Sequence, residues 1–264
     1  MSSVAPRPAL SMLLAHARSA RDPRAIVLLL RTLRGDERAG AVSLTALLTR
    51  RLAEARSERL RVARLFALRR SLARAGALHV AGVDEVGVGP LAGPVVAAAV
   101  ILRARVVLPG LDDSKQLSAQ ARERLDVAIR EQAVAIGVGE VWPPELDRLN
   151  VYHAALEAMR RAVIALSQQP DHVLVDARTI PGIALPQTAL VHGDACDGSI
   201  AAASIVAKVH RDAIMARLER VHPGYGFARH MGYPTPEHLE ALRRLGPSPL
   251  HRMSFAPCNQ ISSS

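Results

Sequence analysis

Two short apolar runs, residues 79–83 and 95–102, constrain this chain most. They are separated by a turn that holds Gly87, Gly89, Pro90 and Gly93. Apolar runs of this length, bounded by glycine and proline, read as strands rather than helices. Downstream the pattern alternates. A helical stretch follows Ser118 to residue 132, and residues 134–141 read as a third strand ended by Trp142-Pro-Pro. An amphipathic helix over 151–168 closes at Pro170, and short strands at 173–175 and 189–191 each run into an aspartate. A long helix is predicted over 199–221 and a shorter one over 236–245. Three early strands followed by strand–helix alternation predict an α/β fold.

Upstream of Gly76 the chain has a different character. Residues 8–75 read as helical, with Asp22 as N-cap and Pro23 opening a helix that runs to residue 31. From Ser43, Leu44, Leu47, Leu48, Leu52, Leu65, Leu68 and Leu72 follow helical spacing with arginines between them, and Gly76 is a suitable stop. The net charge of +10 is unevenly shared: residues 1–77 hold 16 arginines against five acids, a net of +11, and residues 78–264 net −1. The domain division is therefore expected at 77/78, between a basic helical N-terminal extension and an α/β domain with a C-terminal helical part. Such an arm could lie on nucleic acid, pack against the rest of the protein or form a solvated helical hairpin. A solvated face is the default for arginines on a helix.

Composition excludes several classes. At 49% hydrophobic and 22% charged residues, the chain is neither disordered nor collagen-like. Cys196 and Cys258 alone build no disulfide framework. No apolar run approaches the ~20 residues of a membrane helix, and the arginine-laced start lacks a secretory pattern. A cytoplasmic protein without membrane partners, acting as a monomer, is expected.

Four acids fall at the ends of predicted strands. Asp84 and Glu85 close the first, Asp176 follows Val173-Leu-Val, and Asp194 follows Ala189-Leu-Val. Adjacent strand residues point to opposite faces, so Asp84 and Glu85 share one site only where the strand ends or bulges. A carboxylate among Val and Ala is costly unless neutralised, and hard divalent cations such as Mg²⁺ or Mn²⁺ neutralise it through oxygen ligands. On the residues alone, ordinary turn acids explain the pattern as well.

The segment Ala81-Gly-Val-Asp-Glu-Val-Gly-Val-Gly-Pro-Leu-Ala-Gly-Pro resembles the signature of ribonuclease HII. Collinear matches continue through Asp113-Ser-Lys115, Val173-Leu-Val-Asp176, Gly193-Asp194, the stretch 199–212, Tyr225-Gly-Phe227, His230-Met-Gly-Tyr233 and His251–Pro257. The resemblance implies an RNase H-like fold, a mixed five-stranded sheet flanked by helices. It implies an endonuclease that cleaves the RNA strand of RNA–DNA hybrids and incises at ribonucleotides embedded in duplex DNA. It implies two Mn²⁺ or Mg²⁺ ions held by Asp84, Glu85, Asp176 and Asp194, with 5′-phosphate and 3′-hydroxyl products. Further residues implied at the nucleic acid are Gly87, Val88, Gly89, Lys115, Asn150, Ser204, Lys208 and Tyr233.

Three positions depart from the family pattern. Val88 stands where the glycine loop carries arginine, and His192 and Met231 stand where lysines are usual. Each loss reduces attraction for a polyanion. Two expectations follow: that the basic arm compensates, or, as the alternative, that the protein binds hybrids with weakened catalysis or altered junction preference.

Overall fold

The computed structural model describes residues 9–20 and 22–261, with two compact units divided between Ala63 and Arg64. The start of the chain and residues 262–264 of its polar tail lie outside the described residues. In the first unit, α1 (Leu10–Ser19), α2 (Pro23–Thr32) and most of α3 (Ala39–Leu65) surround a core of Leu13, Ala17, Ile26, Leu33, Ala41, Leu44 and Leu48. As expected, the Asp22 carboxylate caps α2, accepting the Arg24 N–H at 3.2 Å. Leu44 and Leu48 are buried, but Leu47 is 41% exposed, so the apolar stripe is narrower than the spacing implied. Arg24, Arg31, Arg50, Arg56 and Arg59 on these helices are exposed, as is Arg34 in the turn after α2.

The second unit opens with Phe66, whose backbone (φ −97°, ψ 17°) interrupts the helical run before α4 (Ala67–Arg74). The single helix read from leucine spacing is therefore two. Phe66 packs on Gly198, where an added Cβ would lie 2.5 Å from the ring. Leu68 and Leu72 pack with Val80, Leu174 and Ile200, and buried Arg69 donates to the Leu102 carbonyl. These contacts place 64–76 with the sheet, ahead of the composition change. Gly76, at φ +104°, ends α4 as expected.

The sheet and its helices follow in chain order. They are β1 (Val80–Val86), β2 (Val95–Leu102), α5 (Ala119–Gln132), β3 (Ala133–Val141), α6 (Pro143–Leu149) and α7 (Val151–Ile164). Then come β4 (His172–Asp176), β5 (Gln187–Leu190), α8 (Gly193–Cys196), α9 (Gly198–Val221), α10 (Phe227–His230), α11 (Pro236–Leu245) and α12 (Cys258–Ile261). The five strands form one mixed sheet in the order β3-β2-β1-β4-β5. β2 lies antiparallel to β1 and β3, while β1, β4 and β5 run parallel. Trp142-Pro-Pro ends β3 as predicted and also starts α6, where proline suits the first turn. α7 stops at Ile164 rather than 168, and Leu166 beyond it packs on the sheet.

Alternation along the strands splits the core between the two faces. Val83, Val95, Ala97, Val173 and Val175 pack against α7, whereas Val80 and Leu174 meet Ile200 of α9. All eight β2 residues are buried, each Val or Ile contributing about 2 kcal/mol of transfer free energy. α9 crosses β1 at Gly82, where a Cβ would sit 2.1 Å from the Ser199 carbonyl carbon. Only glycine permits that approach, and it brings α9 up against the acids of β1.

Candidate active site

β1 outruns its parallel neighbour. Its last pairing with β4 is Val83 with Val175, while pairing with β2 continues from Asp84–Ala98 to Val86–Val96. Asp84 and Glu85 thus lie within the strand, not at its end as the sequence implied. Asp176, the last residue of β4, stands beside this one-sided stretch. Oxygens of Asp84, Glu85 and Asp176 all lie within 4.8 Å of one another. The convergence needs no break in the β1–β2 ladder.

Asp84 is 4% exposed, and its Oδ1 accepts the Glu85 N–H at 2.8 Å. Burial, then the Glu85 charge, hold its carboxyl well above the usual range, partly offset by a hydrogen bond from Ser204. Burial raises Glu85 as well, against the opposing charge of Arg178. Among the described residues, buried Glu85 Oε2 has no hydrogen-bond partner. Three crowded carboxylates, one with an orphaned oxygen, form a donor set of the type hard divalent cations take. The residues fit such a group.

Asp194 is not among these three. It is buried on α8, accepting from Lys115 Nζ at 2.9 Å and the Ala195 N–H at 3.0 Å. That carboxylate, first, and burial's opposing effect set the Lys115 ammonium, which is raised overall and also feels Asp84. Asp176 and Asp194 are tied through Gly193, whose N–H donates to Asp176 Oδ1 at 2.7 Å.

The family model for Ribonuclease HII matches residues 81–258. Ribonuclease HII of Myxococcus xanthus is 52% identical, over 88% of this chain and 80% of its own length. That of Geobacillus thermodenitrificans is 54% identical, over 86% of this chain and 88% of its own. The chain belongs to the ribonuclease HII family. Among solved structures, ribonuclease H2 of Pyrococcus horikoshii OT3 superposes with a TM-score of 0.59 at 26% identity, covering 70% of this chain and 97% of that one. The enzyme class is therefore that of a ribonuclease H hydrolase.

The glycine loop of this ribonuclease HII chain is held from below by two arginines that sequence reasoning missed. Arg211 and Arg252 are both fully buried. Arg252 donates to the carbonyls of Gly87, Val88 and Gly93 at 2.6–3.1 Å. Arg211 donates to those of Pro94, Ala92 and Met231 at 2.9–3.2 Å. Burial, then the Arg211 charge, lower Arg252 to about 9. Gly87, at φ +88°, leaves no room for a Cβ, which would lie 2.2 Å from Arg211 Nε. Among 32 arginines these two carry no compositional mark, although Arg211 falls on the buried α9 stripe with Ala207, Ile214 and Met215.

Tyr233 is 40% exposed, and its Cε1 lies 3.8 Å from where a Gly89 Cβ would stand, so loop and tyrosine face each other. The Val88 side chain packs against the α7-side core. Ser204 is buried, its hydroxyl 2.8 Å from that of Ser114 and next to Asp84, which places it behind the acids. Asn150 (φ +63°) caps α7 through its side-chain oxygen, which accepts the His153 N–H. Lys208 pairs with Asp212 at 2.7 Å. His192 and Met231 both adopt left-handed backbone, at φ +55° and +53°. Cys196 is exposed on α8 and Cys258 buried.

Proposed function

We propose that this chain is an endonuclease that hydrolyses the RNA strand of RNA–DNA hybrids and incises duplex DNA at embedded ribonucleotides. The convergence of Asp84, Glu85 and Asp176 within 4.8 Å, with Glu85 Oε2 unpartnered, carries the reading. These three carboxylates, with Asp194, hold divalent cations, two Mg²⁺ or Mn²⁺ per site. When bound, such ions supply an activated water and stabilise the leaving oxygen, giving 5′-phosphate and 3′-hydroxyl ends.

The remaining work belongs to the chain's own groups. Gly193 and Ser204 fix the orientations of Asp176 and Asp84 through the hydrogen bonds they donate. Lys115 holds Asp194 and keeps a mostly exposed ammonium beside the acids, placed to meet a substrate phosphate. Gly87, Val88 and Gly89, clamped by Arg252, offer backbone amides to a ribose 2′-hydroxyl, the group that separates RNA from DNA. Tyr233 closes the other side of that sugar. Because the loop contributes backbone rather than side chain, Val88 in place of arginine leaves this readout intact. We infer a monomeric cytoplasmic enzyme; among the described residues no helix is long and apolar enough to cross a membrane.

The test is incubation with end-labelled RNA–DNA hybrid, all-RNA duplex and all-DNA duplex in Mg²⁺ or Mn²⁺. Internal cleavage of the hybrid's RNA strand alone, leaving 3′-hydroxyl ends that a polymerase extends, is expected. Equal cleavage of all three duplexes, or none of the hybrid, contradicts the proposal.

A further inference from the structure

Arg178 lies two residues beyond Asp176, past the end of β4, and its side chain is half-buried. Its guanidinium carbon sits 4.9 Å from the centre of the Tyr152 ring. Among the described residues its guanidinium has no hydrogen-bonded partner, although its charge reaches Glu85. Of the nearby cations, Lys208 pairs with Asp212 and Arg252 holds the loop carbonyls, while Lys115 pairs with Asp194 and keeps its ammonium mostly exposed. A guanidinium held over an aromatic ring loses less freedom on binding, and its planar fork matches two phosphate oxygens.

Resting on the hybrid-nuclease reading above, we propose that Arg178, stacked on Tyr152, binds a backbone phosphate of the nucleic acid beside the acidic cluster. It thereby supplies the arginine fork that the glycine loop lacks at Val88. Position and chemistry agree. Arg178 follows the β4 acid by two residues, and its charge reaches Glu85 of the acidic cluster. A cation there also offsets the repulsion between that polyanion and three carboxylates. Tyr152 is 51% exposed, so the platform is open to solvent.

The experiment measures hybrid binding by fluorescence anisotropy in chelator across a salt series, and steady-state cleavage in Mg²⁺. Arg178→Met should raise Kd about tenfold, as expected for one charge-assisted contact. The slope of log Kd against log salt should fall by about 0.9, one phosphate's worth. KM should rise with kcat held, the pattern of lost uniform binding. Arg178→Lys should restore the salt slope but only part of the affinity. Tyr152→Ala should weaken binding about threefold, while Tyr152→Phe, which keeps the ring, should match the parent. The lysine and tyrosine arms keep the test decisive if Arg178→Met folds poorly. A parent that cleaves hybrid, with Kd and slope unchanged in Arg178→Met and Arg178→Lys, overturns the Arg178 assignment alone. A parent that neither binds nor cleaves hybrid overturns the enzymatic reading and this assignment with it.

Discussion

Asp84 is a carboxylate buried in the sheet beside two others. Burial and the Glu85 charge raise its folded-state pKa, so the folded form holds a proton that the unfolded chain releases near pH 4. Stability contributed by this group is therefore present at acidic pH and is lost as pH climbs above the unfolded value. In chelator at pH 7.5, Asp84→Asn should raise Tm, by about 2–4 °C for each kcal/mol of repulsion relieved. Mg²⁺ should raise the parent's Tm and leave the variant nearly unmoved. A variant that melts below the parent in chelator contradicts this. Asp194 pairs with Lys115 instead, but Asp84, Glu85 and Asp176 were legible as candidates because carboxylates flanked by Val and Ala need a reason to be there. Their convergence was not, since it depends on β1 continuing three residues past its pairing with β4. Arg211 and Arg252 were hidden for the opposite reason: in a chain this rich in arginine, a buried one looks like any other.

At the scale of elements, strands were easier to read than helix limits. Residues 95–102 formed the predicted strand because an eight-residue apolar run with Gly-Pro before it suits a strand buried on both faces. The break at Phe66 and the early end of α7 were set by packing on the sheet, which leucine spacing does not encode. The glycine loop belongs to the same class, since its conformation is fixed by side chains 115 or more residues away. Arg252→Met removes donors from three loop carbonyls and should lower stability by about 3 kcal/mol, read from the urea midpoint. Arg252→Lys, which cannot bridge all three carbonyls at once, should recover less than half of that loss. A midpoint unchanged in Arg252→Met shows that the loop holds itself.

For the whole molecule, the charge division is the feature the sequence displayed most openly: an arm of net +11 joined to a near-neutral remainder. The first unit has its own apolar core and keeps Arg24, Arg31, Arg34, Arg50, Arg56 and Arg59 exposed, as a solvated or anion-facing surface requires. Phe66, Leu68 and Leu72 pack on the sheet unit, so a clean truncation ends at Ala63. Removing residues 1–63 should weaken hybrid affinity at moderate salt and flatten its salt dependence, leaving kcat at saturating substrate within about twofold. Equal affinity before and after truncation removes the arm from substrate binding.

The central claim is that the acids clustered on β1 and at the end of β4 cleave beside a ribose. Its most direct measurement is incision of a DNA duplex carrying one ribonucleotide, in Mg²⁺ or Mn²⁺, by the parent and by Asp84→Asn. The parent should nick at the ribonucleotide and leave 5′-phosphate and 3′-hydroxyl ends, and Asp84→Asn should lose at least about 10²-fold in rate. No incision by the parent, or incision that survives Asp84→Asn, contradicts it.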